Sequence, residues 1–110
     1  MPYYLWTGNY TREAMQAMVA NPSDREAAAR KVIEAAGGKL HHMFFALGSA
    51  DVVILTEFPD DVSVAAVSLV TGSAGTITNA TTTKLLTPAQ FSEAMRKAGS
   101  VARAYSPPQG

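Results

Sequence analysis

The sequence predicts an α+β fold, in which four strands form an antiparallel sheet and helices cover one face. Two observations predict it. Apolar and β-branched residues concentrate in four short segments, at residues 2–10, 39–47, 52–58 and 76–86. Segments with helical spacing and capping residues lie between them. Because the order is βαββαβ plus one helix, right-handed crossovers give a ferredoxin-like sheet with strand order 4-1-3-2.

The first strand carries large residues on both of its faces. Alternation predicts two sets of side chains, with Tyr4, Trp6 and Tyr10 on one face and Tyr3, Leu5, Thr7 and Asn9 on the other. If helices cover only one face, the other presents an apolar patch that is large for a monomer. The sequence therefore predicts a homo-oligomer, at least a dimer, whose sheets pack face to face in the manner of a dimeric α/β-barrel.

Capping residues mark the ends of the helices. Thr11 opens a short helix, and residues 23–26 (SDRE) form a capping box in which Ser23 caps the second one. Gly37 and Gly38 end that helix. A third helix spans residues 62–70, and residues 87–90 (TPAQ) open the last one. Residues 1–98 are predicted to form a single domain and residues 99–110 a flexible tail.

Residues 39–58 read as a hairpin with a short turn at residues 48–51. Gly48 is expected to supply an unusual backbone conformation, and Asp51 is expected to accept hydrogen bonds from turn amides. His41 and His42 are adjacent on a strand, which predicts that their side chains point to opposite faces. They could not then bind one metal ion together, and no metal site or cofactor is predicted.

Composition narrows the class of protein. Nine basic residues balance nine acidic ones, so no nucleic-acid footprint or membrane-surface patch is expected. The absence of cysteine removes disulfides, thiol catalysis and zinc–thiolate sites. No apolar run approaches the roughly 20 residues of a membrane span, and a cytoplasmic location is the expectation.

Five segments together resemble the GYD-domain family over about residues 3–91. They are residues 8–11 (GNYT), 35–40 (AAGGKL), 47–53 (LGSADVV), 59–61 (PDD) and 80–87 (ATTTKLLT). The turn departs from the family's Gly-Tyr-Asp pattern, because Ala50 replaces the tyrosine. The resemblance implies a dimeric α/β-barrel architecture and oligomerisation. It implies no settled activity.

Two classes of function remain open. The first is an oligomeric module that binds a small apolar or aromatic ligand, or a partner. The second is a small cofactor-independent enzyme, of the monooxygenase or isomerase kind found among dimeric α/β-barrel proteins, with His42 or Asp51 as the catalytic base. The candidate ligand-binding residues are Tyr4, Trp6, Asn9, His42 and Phe44. Turn geometry is nevertheless the favoured explanation of Asp51, and aromatic residues more often belong to a core or an interface than to a ligand site.

Overall fold

A computed structural model of the chain describes residues 1–109 and confirms the predicted architecture. The strands are β1 (Tyr3–Tyr10), β2 (Lys39–Phe45), β3 (Val52–Glu57) and β4 (Ile77–Leu85). The helices are α1 (Arg12–Ala20), α2 (Arg25–Ala35), α3 (Asp61–Ser73) and α4 (Pro88–Val101), followed by a 3₁₀ turn at Ala102–Ala104. The sheet order is β2-β3-β1-β4 with every neighbouring pair antiparallel, so the fold is ferredoxin-like.

The start of α2 differs from its prediction by one residue. The cap is Asp24, whose carboxylate accepts a hydrogen bond from the amide of Ala27 at 3.0 Å, and Ser23 lies outside the helix. Both residue types cap helices, and Asp24 is placed so that the negative charge meets the positive end of the helix dipole. The predicted glycine stop is confirmed, since Gly37 has φ +82° and lies directly after the C-cap.

The capping box of α4 is confirmed, but the helix is longer than predicted. Thr87 accepts a hydrogen bond from the amide of Gln90, and the Gln90 side chain accepts one from the amide of Thr87. α4 continues through Gly99 to Val101, so the helix extends past residue 98, where the domain was predicted to end. Glycine in a helix interior costs only about 1 kcal/mol relative to alanine, which a capped helix can tolerate.

The core lies on one face of the sheet. Its buried apolar residues are Tyr4, Ile33, Leu40, Val52, Ile54, Phe58 and Val64. The strand residues among them project towards α2 and α3. We call the opposite surface the open face; it comprises Tyr3, Leu5 and Thr7 of β1, Val53, Leu55 and Glu57 of β3, and His41, His42 and Phe44 of β2. The β1 and β3 residues of this face are only half-buried, because none of the helices in the described part of the chain covers it.

A β-bulge places both histidines on the open face, which corrects the prediction of opposite faces. The β2–β3 register shifts between Leu40 and His42, so that His41 is an extra residue without a partner of its own. His41 Nε2 lies 2.6 Å from Oε1 of Glu57. The ring of His42 stacks on Phe44 at a centroid distance of 6.1 Å. Strict alternation fails here because an inserted residue changes the side to which the chain points.

The hairpin turn is also built differently from its prediction. Positive φ values at glycine within residues 1–109 occur at Gly37 and Gly75, and Gly48 is not among them. A Cβ atom at Gly48 would have no neighbour within 4 Å. The turn therefore makes no special demand for glycine at this position. No helix within residues 1–109 combines the length and the apolar character needed to cross a bilayer.

Candidate functional site

A cleft lies between α2 and α3, with the sheet as its floor. The two helices pack on the same face but make no substantial contact with each other, and they leave a cavity of about 150 Å³. Its floor includes Trp6, Met43 and Ile54, and its walls include Val32 of α2 and Val67 of α3. Such a site, mostly apolar and set between secondary-structure layers, is typical of small-molecule pockets.

Gly8 allows Trp6 to lie along this floor. Both residues project towards the helices, because they are two positions apart on β1. A Cβ atom at Gly8 would lie 2.5 Å from Cη2 of the indole and 2.9 Å from Cζ2. Any larger residue at this position would therefore displace the ring from the cleft.

The cleft has few polar groups, and two of its hydroxyls already donate hydrogen bonds to backbone oxygens of the protein. The Thr56 hydroxyl donates to the backbone oxygen of Tyr4 at 3.3 Å, and the Thr71 hydroxyl donates to that of Val67 at 3.0 Å. Arg25, which is exposed, and Tyr10 are the ionisable residues of the lining, and no histidine, aspartate or glutamate belongs to it. The cleft can enclose an apolar group, and its lining contains no histidine or carboxylate that could serve as a general base.

Tyr4 is a structural tether rather than a wall of the cleft. Its hydroxyl donates to Oδ1 of Asp61, the first residue of α3, at 2.5 Å. Burial, and then the bond to this carboxylate, raise the pKa of Tyr4 to about 12. The hydrogen bond from Tyr4 and the one from Lys84 lower the pKa of Asp61. Tyr4 thus fixes α3 to the sheet and is absent from the cleft lining.

Asn9 and Asp51 brace each other where β1 meets β3. The amide of Asp51 donates to the side-chain oxygen of Asn9 at 3.1 Å, and Oδ2 of Asp51 accepts from the amide of Tyr10 at 3.0 Å. Asn9 does not cap α1; Thr11 does, accepting from the amide of Ala14. Asp51 therefore satisfies a backbone amide, as expected, although that amide belongs to β1 and not to its own turn.

The structure separates the predicted ligand-binding residues. Trp6 lies in the cleft, whereas His42 and Phe44 lie on the open face, on the other side of the sheet. The contact between His41 and Glu57 was not predicted. The ring of His41 also lies beside that of Tyr3, at a centroid distance of 5.6 Å. A bulge leaves no clear signal in a single sequence. Within residues 1–109 no group of three or more histidine, aspartate or glutamate side chains could hold a metal ion.

A family model described as the GYD domain matches residues 4–95, most of the chain. The chain belongs to the GYD-domain family. The match includes the sheet except for its first residue, the cleft and the first half of α4. No curated protein matches the chain significantly. Membership in the GYD-domain family therefore accounts for the architecture, while an activity has to be argued from the site.

Proposed function

We propose that this GYD-domain protein is an oligomeric module that binds a small apolar or aromatic molecule in the cleft between α2 and α3. The observation that carries the proposal is the cleft, which is about 150 Å³ in volume and lined mainly by aliphatic and aromatic side chains. A cavity of roughly this volume holds one benzene-sized ring. Arg25, at the exposed start of α2, adds a cation that could meet an acidic substituent on such a ring.

The position of the candidate bases favours binding over catalysis. A general base must come within hydrogen-bond reach of the bound substrate, directly or through one water molecule. Neither His42 nor Asp51 belongs to the cleft lining, and the Asp51 carboxylate already accepts a backbone hydrogen bond. The enzyme alternative would place the reaction on the open face, beside His41 and Glu57, where a partner would have to enclose it.

The open face supports self-association. Phe44 is 64% exposed there, next to the half-buried Leu5, Val53 and Leu55. An apolar sheet face of this kind is covered in most folds by a second layer. A second copy that packs sheet to sheet supplies that layer and produces the dimeric α/β-barrel arrangement.

The single tryptophan of the chain gives a direct test of ligand binding. Toluene and benzoate should each change the Trp6 fluorescence in a saturable way, because the indole forms part of the cleft floor. Ala29→Phe places a ring in the cleft and should abolish both changes. Ala27→Phe is the matched control, since Ala27 is exposed on the same helix and outside the lining.

Added volume in a packed site costs about 1–3 kcal/mol of stability. Circular dichroism of each variant is therefore needed to show that the fold is retained. Saturable binding that Ala27→Phe retains and a folded Ala29→Phe loses supports the cleft as the binding site. Fluorescence that stays unchanged up to the solubility limit of both probes contradicts the proposal. So does binding that a folded Ala29→Phe variant retains.

A further inference from the structure

Within residues 1–109, the last helix has no other helix or strand to pack on. α4 makes substantial contact only with the 3₁₀ turn that continues it. The chain measures 60 × 36 × 23 Å and has a radius of gyration of 18.1 Å, whereas a compact domain of this length has about 13 Å. An isolated helix of 14 residues is marginal in water, so α4 needs a surface to pack on.

One side of α4 carries an exposed apolar stripe. Phe91 and Met95 are 56% and 58% exposed, Ala98 continues the stripe within α4, and Ala102 extends it into the 3₁₀ turn, at alternating spacings of four and three. This spacing is that of a helix seam which packs along a second helix. The opposite side of α4 is polar and includes Ser100.

α3 has an exposed stripe with the same spacing. Its inner side, with Val64 and Val67, packs on the core or lines the cleft. Its outer side carries Val62 and Leu69, which are 78% and 74% exposed, together with Ala66 and Ser73. A helix that is apolar on both sides is normally buried on both, so the outer side of α3 also lacks a partner.

We propose that α4 is an arm that packs antiparallel on the outer side of α3 of a second copy of this chain. The two stripes match in register: Val62 faces Ala102, Ala66 faces Ala98, Leu69 faces Met95 and Ser73 faces Phe91. The small Ala66 and Ala98 meet near the middle, where the helix axes can approach closely. α3 and α4 have 13 and 14 residues, so each stripe runs roughly 20 Å. Two such contacts related by a twofold axis would form a closed dimer.

Charge supports this partner. Residues 88–105 contain three basic residues and one acidic residue, a net charge of +2, whereas residues 1–87 contain six basic and eight acidic residues, a net charge of −2. In the antiparallel register, Arg103 lies beside Asp60 and Asp61 at the start of α3. Complementary charge fixes register and favours the right partner.

α4 could cover the outer side of α3 in its own chain only if the backbone at the start of α4 changed direction. Only Leu86 and Thr87 separate it from β4, and the capping box at Thr87 and Gln90 fixes the direction in which it leaves the sheet. A second copy offers the same α3 surface with no such restriction. The proposal uses self-association, which the proposed function also expects, but it involves a different surface from the open face and is independent of ligand binding.

Because the chain has no cysteine, pairs of single-cysteine variants test the contact directly. Leu69→Cys and Met95→Cys proteins, mixed and oxidised, should give a disulfide-linked heterodimer. Ser100→Cys is the control, because Ser100 lies on the polar side of α4; mixed with Leu69→Cys it should give no link. Phe91→Glu should lower the mass measured by light scattering and reduce amide protection across α4, and the matched Ser100→Glu should do neither.

Other results would overturn the proposal. One is a wild-type chain that stays monomeric at 100 micromolar. Another is a disulfide-linked dimer formed by Met95→Cys protein without the Leu69→Cys protein. A third is a disulfide within one chain when a variant carries both Leu69→Cys and Met95→Cys. If the wild-type protein stays monomeric but co-sediments with phosphatidylserine vesicles, and Phe91→Glu does not, α4 binds a membrane surface and the proposal is wrong. Trp6 fluorescence with toluene separates this proposal from ligand binding in the cleft. A Phe91→Glu variant that no longer self-associates through α4 should still bind toluene if the cleft is a ligand site.

Discussion

Tyr4 shows how one side chain joins the sheet to the helix layer. Its ring is buried in the core, and its hydroxyl reaches the carboxylate at the start of α3. The raised pKa makes this tether sensitive to alkali. Because the folded value of about 12 lies above the ordinary 10.0, its stabilisation is complete below pH 10 and falls as the pH rises towards 12.

We expect Tyr4→Phe to remove that alkaline loss. At pH 7 the variant should be about 1 kcal/mol less stable, since a hydrogen bond is lost while the ring still fills its place. Urea unfolding between pH 7 and pH 11 measures both effects. Tyr105→Phe, on an exposed residue near the C-terminus, should keep the wild-type dependence. An unchanged alkaline slope in Tyr4→Phe would show that the tether does not govern it.

Gly8 and Gly48 differ sharply in what they allow. Gly8→Ala would bring a methyl group against the Trp6 ring, whereas Gly48→Ala would place one in open space. The first change should move the indole, shift its emission and cost about 1–3 kcal/mol. The second should leave stability and emission at wild-type values. Fluorescence and thermal unfolding of the two variants check this, and equal effects at both positions would contradict the assigned turn geometry.

At the scale of single elements, β2 depends on its bulge and α2 on its first residues. The bulge turns His41 to the same face as His42 and brings it to Glu57. The cap at Asp24 satisfies one amide that the helix itself leaves without a partner. The bulge adds one residue to β2 and so moves His41 to the face of His42. The cap lies one residue later than predicted, so that Asp24 and not Ser23 accepts the hydrogen bond.

The cap of α2 can be tested with neighbouring alanine substitutions. Asp24→Ala should lower the free energy of unfolding by about 1 kcal/mol, because it removes the hydrogen bond to Ala27 and a charge that favours the helix dipole. Ser23→Ala should change it by less than about 0.5 kcal/mol, as for an exposed residue outside the helix. Chemical denaturation of the two variants measures the difference. A larger loss of unfolding free energy in Ser23→Ala than in Asp24→Ala would show that Ser23 caps the helix, as the sequence predicts.

At the scale of the whole molecule, residues 1–109 leave three apolar surfaces uncovered: the open face, the outer side of α3 and the stripe of α4. The residues that test the open face are not Trp6 and Ile54, since both lie on the covered side, in or next to the core. A charge at Ile54 would disrupt folding itself. The informative residues are those that point away from the helices.

Phe44→Glu should weaken self-association without unfolding the domain. Phe44 is largely exposed on the open face, so a charge there adds a desolvation cost only when a partner covers it. Leu47→Glu is the control, because Leu47 is fully exposed in the turn after β2. Light scattering at several concentrations should show a lower mass for the first variant alone. Wild-type association of Phe44→Glu would remove the open face from the interface.

Local patterns along the chain were enough to predict the elements, their order and the family. Caps and glycine stops act over a few residues, and apolar periodicity repeats within each element, so they can be read along the chain, as for α4 and the end of α2. Only the tertiary structure decided the bulge at His41, the face on which Trp6 lies, the brace between Asn9 and Asp51, and the cleft. Each of these depends on strands and helices that are distant in sequence meeting in one register. The same reason applies to α4: its capping box predicts a helix from the sequence, whereas the exposure of its apolar stripe became visible only once the rest of the described chain was in place.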